Sequence, residues 1–234
     1  MNNSIKFISG RLIKRYKRFF ADVKLDSGEV VTAHCPNTGS MMGLLTEGNI
    51  VYLSKTDNEK RKLKYTLEII RDKGASVGVN THRANRIVEK AIIEKKISTL
   101  GKKYDVRREV KYGINSRIDF LITNKKDEEI FVEVKNVTLS KRKGIAEFPD
   151  AITERGSKHL LELIDVVKKN KRAIMLFLVQ RNDCKKFRIA EEIDSMYKKN
   201  IMNAMKAGVE ILCYGCSFVR NNIELDKKIK FIDK

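Results

Sequence analysis

The run Arg117-Ile118-Asp119-Phe120-Leu121-Ile122, followed by Phe131-Val132-Glu133-Val134-Lys135, decides how this chain is read. Both runs alternate polar and apolar residues with period two, and Asn124-Lys125-Lys126-Asp127-Glu128 between them is polar enough to turn the chain. A hairpin folded about Lys126 sets Asp119 opposite Glu133. Successive side chains of a strand point to opposite faces. Arg117, Asp119, Glu133 and Lys135 are therefore expected on one face, left for chemistry, and Ile118, Phe120, Ile122, Ile130, Val132 and Val134 on the other, packed inward.

These residue types suit a divalent metal beside a phosphodiester. Mg²⁺ or Mn²⁺ is a hard cation held by one or two carboxylates, with water and phosphate oxygens completing the shell, and Asp119 and Glu133 are the candidate ligands. Lys135, two residues beyond Glu133, points the same way. It is placed to orient or help deprotonate a water, or to offset charge building up on phosphate in the transition state. A solvated hairpin face carrying cross-strand ion pairs accounts for the same spacing, and the motif alone does not choose.

The surrounding blocks do. The strings HCPNTGSM (34–41), NTHRANRIVEKAI (80–92), SRIDFLI (116–122), EVKNVTLS (133–140) and FPDAITERGSKHLLEL (148–163) resemble the sugar fermentation stimulation protein A (SfsA) family. Asp119 with Glu133-x-Lys135, between a helix carrying Glu89 and a helix beginning near Asp150, also resembles the core of the PD-(D/E)xK nucleases; Ile118 stands where the naming motif has Pro. The resemblance implies an OB-like nucleic-acid-binding domain over 1–80 and a PD-(D/E)xK nuclease-like domain of αβββαβ order over 81–234. It implies a family described as DNA-binding and linked to regulation of sugar metabolism genes. It further implies Glu89 as a third acid of the site, and polar residues such as Gln180 at the end of the central strand, near the scissile phosphate or water.

Composition agrees with a polyanionic partner. Forty-nine Lys and Arg against 30 Asp and Glu give a formal charge of +19, a self-repulsion that a regular nucleic-acid partner would relieve. Residues 1–20 contain Lys6, Arg11, Lys14, Arg15, Lys17 and Arg18 and no acid, with Tyr16, Phe19 and Phe20 interleaved. Such cations can follow a phosphate backbone while rings stack on bases, although Phe19 and Phe20 are expected in the β core. Arg117, Lys141 and Arg142 near the hairpin, and Arg155 and Lys158 opening the second helix, are further candidates for backbone contact. Between strands, 36–43 form a Gly-punctuated loop whose N–H groups and hydroxyls could face a phosphate.

No run approaches the ~18–20 apolar residues of a membrane span, and the start lacks the apolar core of a signal peptide, so a cytoplasmic chain is expected. Cys213-Tyr-Gly-Cys216 has zinc-like spacing, but Cys35 and Cys184 are isolated and no His lies nearby, so the cysteines are expected in the core and no zinc is anticipated.

Strands are expected over 17–25, 29–35, 49–55 and 62–71, with five in the first ~70 residues making a small barrel, OB-like or SH3-like by pattern alone. Residues 72–81 mark the domain boundary. A helix over 84–96, strands over 106–111, 116–123 and 129–138, a helix over 150–170, a central strand over 172–179, a helix over 191–207 and a β tail over 209–231 complete the chain. Read as a whole, this is an α+β or α/β chain that binds DNA, with a candidate Mg²⁺- or Mn²⁺-dependent endonuclease site. Its rivals are a non-catalytic DNA-binding regulator and an RNA-binding or processing protein, and the oligomeric state stays open, a homodimer included.

Overall fold

The computed structural model describes residues 6–113, 115–219 and 222–233. The ends of the expected domains, 1–5 and 234, and part of the β tail lie outside the described residues.

The first domain is built on β1 (Phe7–Tyr16), β2 (Phe20–Leu25), β3 (Val30–His34), β4 (Ile50–Lys55) and β5 (Tyr65–Asp72), in the order β3-β2-β1-β4-β5. A parallel pairing of β3 with β5, Ala33 beside Tyr65 and His34 beside Thr66, closes the sheet into a five-stranded OB-like barrel. β1 is long enough to bend between two neighbours, and its register shifts between Leu12 and Lys14. Gly10 makes the bend possible, because a Cβ there would lie 2.6 Å from the Lys24 carbonyl oxygen. Leu12, Val23, Leu53, Leu67 and Ile70 fill the interior. Contrary to expectation, Phe19 is not core: it is 46% exposed at the β1–β2 turn, where Lys17 and Arg18 take positive φ. Phe20 stacks on Tyr16 instead.

The expected boundary segment contains a strand, β6 (Ala75–Gly78), which extends the barrel sheet along β5. Val77 bridges to Arg181, and the Gly78 N–H donates to the Gln180 carbonyl oxygen at 2.8 Å, so the join itself pairs with the second domain.

After α1 (His82–Ile93) come β7 (Tyr104–Tyr112), β8 (Ser116–Asn124) and β9 (Glu129–Val137), then a small hairpin of β10 (Leu139–Arg142) and β11 (Ile145–Phe148). α2 (Glu154–Lys168), β12 (Arg172–Val179), β13 (Lys186–Ile189), α3 (Ser195–Ala207), β14 (Glu210–Val219), β15 (Asn222–Lys228) and β16 (Lys230–Phe231) follow. The main sheet runs β15-β14-β12-β9-β8-β7. β9 pairs antiparallel with β8 and parallel with β12, which makes it central.

The turn forms about Lys126: the Asn124 side-chain oxygen accepts from the N–H groups of Lys126 and Glu128, and Asp127 takes φ +58°. Phe120 pairs with Val132, a register that places Asp119 across from Glu133 as expected.

One expectation about this hairpin fails. A central strand is covered on both faces. α1 packs Ile87, Val88 and Ala91 against Phe120, Ile122, Ile130, Val132 and Val134, while α2 and α3 pack Leu160, Leu163 and Ile201 against Leu121, Phe131, Met175 and Phe177. The face of Glu133 is therefore interior, not open. Ile118 also belongs to this second core, opposite to Phe120, because the β7–β8 ladder skips the pair between Glu109 and Asp119 and Glu109 takes φ +52°.

α2 begins at Glu154, not near Asp150. Thr153 caps it by accepting from the Gly156 N–H, and the segment before it makes a cross-domain contact. Asp150 accepts at one carboxylate oxygen from the Ser40 hydroxyl and the Met41 N–H, each at 3.3 Å, while the same hydroxyl lies 3.0 Å from the Asp150 carbonyl. The polar loop read as a phosphate cradle thus holds a carboxylate of its own chain. α3 likewise starts at Ser195 rather than 191, since Asp194 stops the helix pattern by capping Tyr197 N–H. The segment between β9 and α2 forms the β10–β11 hairpin, which joins β13 and β16 in a second sheet of order β10-β11-β13-β16. Cys213 and Cys216 face the two opposite cores, so they cannot share a metal.

The Ser40–Asp150 contact yields a stability prediction. A Cβ on Gly39 would sit 2.5 Å from the Asp150 carboxylate, so Gly39→Ala is expected to cost ~1–3 kcal/mol, measured by denaturant unfolding. In a double-mutant cycle with Asp150→Ala the two losses should be less than additive; simple additivity would mean that the clash is relieved elsewhere.

Candidate metal-dependent active site

Asp119 sits where β8 and β9 part. The ladder stops at Phe120 and Val132, and the free N–H of Val134 donates to the Asp119 carboxylate at 2.7 Å, so the side chain substitutes for a strand partner. Its other oxygen accepts from the Asn85 amide of α1 at 2.7 Å. Burial, and then the negative charge of Glu133, push the Asp119 carboxyl up to about 6, against the pull of those two donors and Lys135.

Glu133 is 3% exposed and reaches toward α2. One carboxylate oxygen contacts the Lys135 ammonium at 2.7 Å and His159 Nδ1. Arg155 Nε lies 3.4 Å from His159 Nε2 and the Lys135 ammonium 3.1 Å from Nδ1, so the imidazole joins both cations to the Glu133 carboxylate. Burial alone would raise Glu133, but the His159 hydrogen bond and the Lys135 charge hold it below its ordinary value. Adjacent carboxylates whose proton affinities are driven apart are a common signature of a working site.

The second Glu133 oxygen, Oε2, is buried and accepts no hydrogen bond. A charged oxygen left so is costly without a cation. Together with Asp119 it forms a hard, all-oxygen donor set, which fits Mg²⁺ or Mn²⁺ and not zinc. Among the described residues no cluster of three or more acidic, His or Cys side chains is assembled as a ligand set, so water and phosphate would have to complete the shell.

The other expected site residues fall as follows. Glu89 is one helical turn beyond Asn85, yet it pairs with Arg108 of β7 at 3.0 Å; the α1 residue touching Asp119 is Asn85. Gln180 is fully buried at the domain join, donating to Asn136 at 2.6 Å, with its amide oxygen so close to Gly78 that a Cβ there would be 2.4 Å away. Arg117 is exposed and donates to the Glu109 carbonyl. Lys14, Lys17 and Arg18 lie on the exposed or half-buried barrel surface, whereas Arg15 clamps the polar loop through the Asn37 and Gly39 carbonyls at 2.7 and 3.1 Å. Lys141 pairs with Glu192 at 2.5 Å, and Arg142 is exposed on the β10–β11 hairpin. Arg155 and Lys158 are exposed on α2 beside His159.

Two residues were missed as members of the site. His159 lies one turn after Arg155 on the helix that covers Glu133, a placement that could have flagged it. Tyr112 gave no signal. Its hydroxyl is buried without a hydrogen-bond partner, and burial, then Glu133, Glu162 and Asp119, suppress its ionisation.

With this geometry in view, comparison with known proteins is informative. A sequence profile described as the sugar fermentation stimulation protein RE domain matches residues 82–222, and one described as the SfsA N-terminal OB domain matches residues 13–79. The chain belongs to the SfsA family. It is 54% identical over 226 residues to the sugar fermentation stimulation protein homolog of Pelagibacter ubique (strain HTCC1062), covering 97% of each chain. The homolog of Maricaulis maris (strain MCS10) is 52% identical over 209 residues, 89% of each. The solved structure of Pyrococcus furiosus SfsA in complex with Ca²⁺ superposes with a TM-score of 0.88 at 27% identity, covering 97% of this chain and 96% of that one. The SfsA fold thus comprises the OB-like barrel and the αβββαβ unit described above. Among the described residues no helix is long and apolar enough to cross a membrane.

Proposed function

We propose that this chain is a DNA-binding, metal-dependent phosphodiesterase, with Asp119 and Glu133 as metal ligands and Lys135 as the charged group beside them. The observation that carries the reading is the buried, unpartnered Glu133 Oε2 next to a Lys135 ammonium already bound to the other oxygen of the same carboxylate. That a relative was solved as a Ca²⁺ complex supports a divalent-cation site in this fold.

Mg²⁺ or Mn²⁺, when bound, would supply charge neutralisation and polarise the phosphoryl oxygen. The remaining work belongs to the chain. His159 fixes one oxygen of Glu133 and leaves Oε2 for the cation. Lys135 is placed to orient the attacking water and to offset charge that grows on the phosphate. Asn85 and the Val134 N–H hold Asp119 in place. Arg155, exposed beside His159, is a further cation for a neighbouring phosphate. Binding of this kind to DNA is also the route by which such a protein would bear on sugar metabolism genes.

The reading is tested by incubating the protein with supercoiled, linear and single-stranded DNA in Mg²⁺, Mn²⁺ or EDTA. Products are expected with metal and none in EDTA; uncut DNA in every case would leave the non-catalytic, regulatory reading. Binding should be mainly electrostatic. With some five phosphates neutralised, the log–log salt slope is expected near −3 to −5, and Lys14→Ala with Lys17→Ala and Arg18→Ala should flatten it by about 2. Arg15 is left intact in that variant because it anchors the loop. A slope near zero in the parent protein would remove the nucleic-acid reading.

A further inference from the structure

Outside the acidic site, cationic side chains gather in a cleft of about 410 Å³ where the barrel meets the start of α1. Its walls include His34 of β3, Arg61 from the β4–β5 connection, and His82, Arg83 and Arg86 of α1. Glu68 is the sole acid among its lining residues, and it is 2% exposed at the floor. Glu68 is also spent. One oxygen accepts from Ser54 at 2.6 Å and Arg83 Nη2 at 2.7 Å, and the other from Asn80 at 2.9 Å and Arg83 Nε. It therefore braces Arg83 from beneath without neutralising the rest of the cleft.

The remaining cations have no acidic partner among the described residues. Arg61 is half-buried, and its recorded hydrogen bond goes to the Thr66 hydroxyl at 3.1 Å; Arg86 is exposed. α1 adds to the field, because its N-terminus opens at this cleft and its first turn carries no acid. The local potential is felt by His34, whose proton affinity is lowered first by burial and then by the charges of Arg61 and His82. The walls have no Phe, Tyr or Trp on which a base could stack, but they do supply guanidinium, imidazole, hydroxyl and amide donors. Guanidinium groups in this setting grip a phosphate through paired N–H donors directed at two of its oxygens.

We propose that the cleft formed by Arg61, Arg83, Arg86, His34 and His82 is a phosphate-binding site, which holds a phosphate of the nucleic acid and leads the strand along α1 toward Asn85 and Asp119. It rests on the nucleic-acid reading above for the identity of the strand, but not on cleavage. Arg83 and Arg86 share one side of the helix, and Asn85, which touches Asp119, lies within the same turn but about 100° round the axis from Arg86, so the strand would pass round the start of α1 to reach it. The barrel would then bind by phosphate on one flank of the acidic site, with its own contact independent of the metal.

The test is made in EDTA with the full chain. Arg61→Ala with Arg86→Ala removes two exposed or half-buried cations, and Lys102→Ala with Lys103→Ala serves as a charge-matched control on an exposed turn. Fluorescence anisotropy with a labelled single strand is expected to show about a tenfold loss of affinity and a salt slope shallower by one to two for the cleft variant, with a smaller change for the control. Broadening of the ³¹P resonance of inorganic phosphate separates the possible sources. Lost broadening in the cleft variant assigns a phosphomonoester or free phosphate, whereas lost strand affinity with no phosphate broadening even in the parent assigns an internal phosphodiester. Equal strand affinity and equal phosphate broadening in the parent and cleft variant, or losses matched by the control, would overturn the proposal. A parent that binds phosphate in the cleft but no strand would retire the nucleic-acid reading while keeping the site.

Discussion

Lys135→Ala is expected to lower phosphodiester cleavage by about 10²–10⁴-fold while leaving DNA affinity nearly unchanged. The side chain is 14% exposed and 2.7 Å from Glu133, so it is held beside the reacting centre rather than on the binding surface. Loss of the ammonium removes water orientation and charge compensation together, whereas binding loses one of 49 basic side chains. The defect should appear in kcat. A variant whose kcat is intact but whose affinity has dropped would assign Lys135 to binding instead.

The second large effect concerns Asp119. Asp119→Asn removes a metal ligand but keeps its shape, and Mn²⁺ affinity should fall at least tenfold by calorimetry. The fold should survive: the new amide oxygen can accept from Val134 N–H, and Asn85 can turn its own amide to present an oxygen to the new NH₂. Stability should even rise. With a carboxyl raised to about 6, the folded protein takes up a proton more readily than the unfolded chain, so Asp119 costs stability at neutral pH and ceases to do so as pH falls through about 6 toward 4. Without metal, the variant is expected to be ~1–2 kcal/mol more stable than its parent at pH 7.5, with the difference shrinking by pH 4.5. Equal Mn²⁺ affinity in both proteins would place the metal elsewhere.

How much of this was legible in the sequence follows from which interactions are local. The Asp119–Glu133 register was readable, because a short polar turn about Lys126 sets it within one hairpin. The barrel was also readable, since its strands are bounded by turns, although its OB-like closure depends on β3 meeting β5 across ~30 residues of chain. The reversal at Ile118 was not, because it depends on the positive φ of Glu109 on the neighbouring strand. Four-residue strands such as β11 and β13, paired in parallel across 40 residues, leave almost no periodic trace. His159 was hidden for a related reason. Its role comes from a contact with Glu133 that only the packing of α2 on β9 creates. The Arg61–Arg86 cleft joins separate segments, and no single window of sequence displays it.

The two domains are tied at several points, among them Gly78 on Gln180, Val77 on Arg181, Arg83 on Glu68, and the Ser40–Met41 loop on Asp150. The last of these fixes the chain just before α2, the helix that supplies His159 and Arg155. On the proposed reading, a barrel that holds nucleic acid would be joined through this contact to the helix that positions Glu133. This gives the chain a physical reason to keep both domains together.

The most direct test of the central claim is a single-turnover assay with parent, Lys135→Ala and Asp119→Asn proteins purified in parallel, on the same DNA, in Mn²⁺, Mg²⁺ and EDTA. Cleavage by the parent that requires metal and falls at least a hundredfold in both variants is the predicted result; equal cleavage by all three, or none by the parent with either metal, would contradict it.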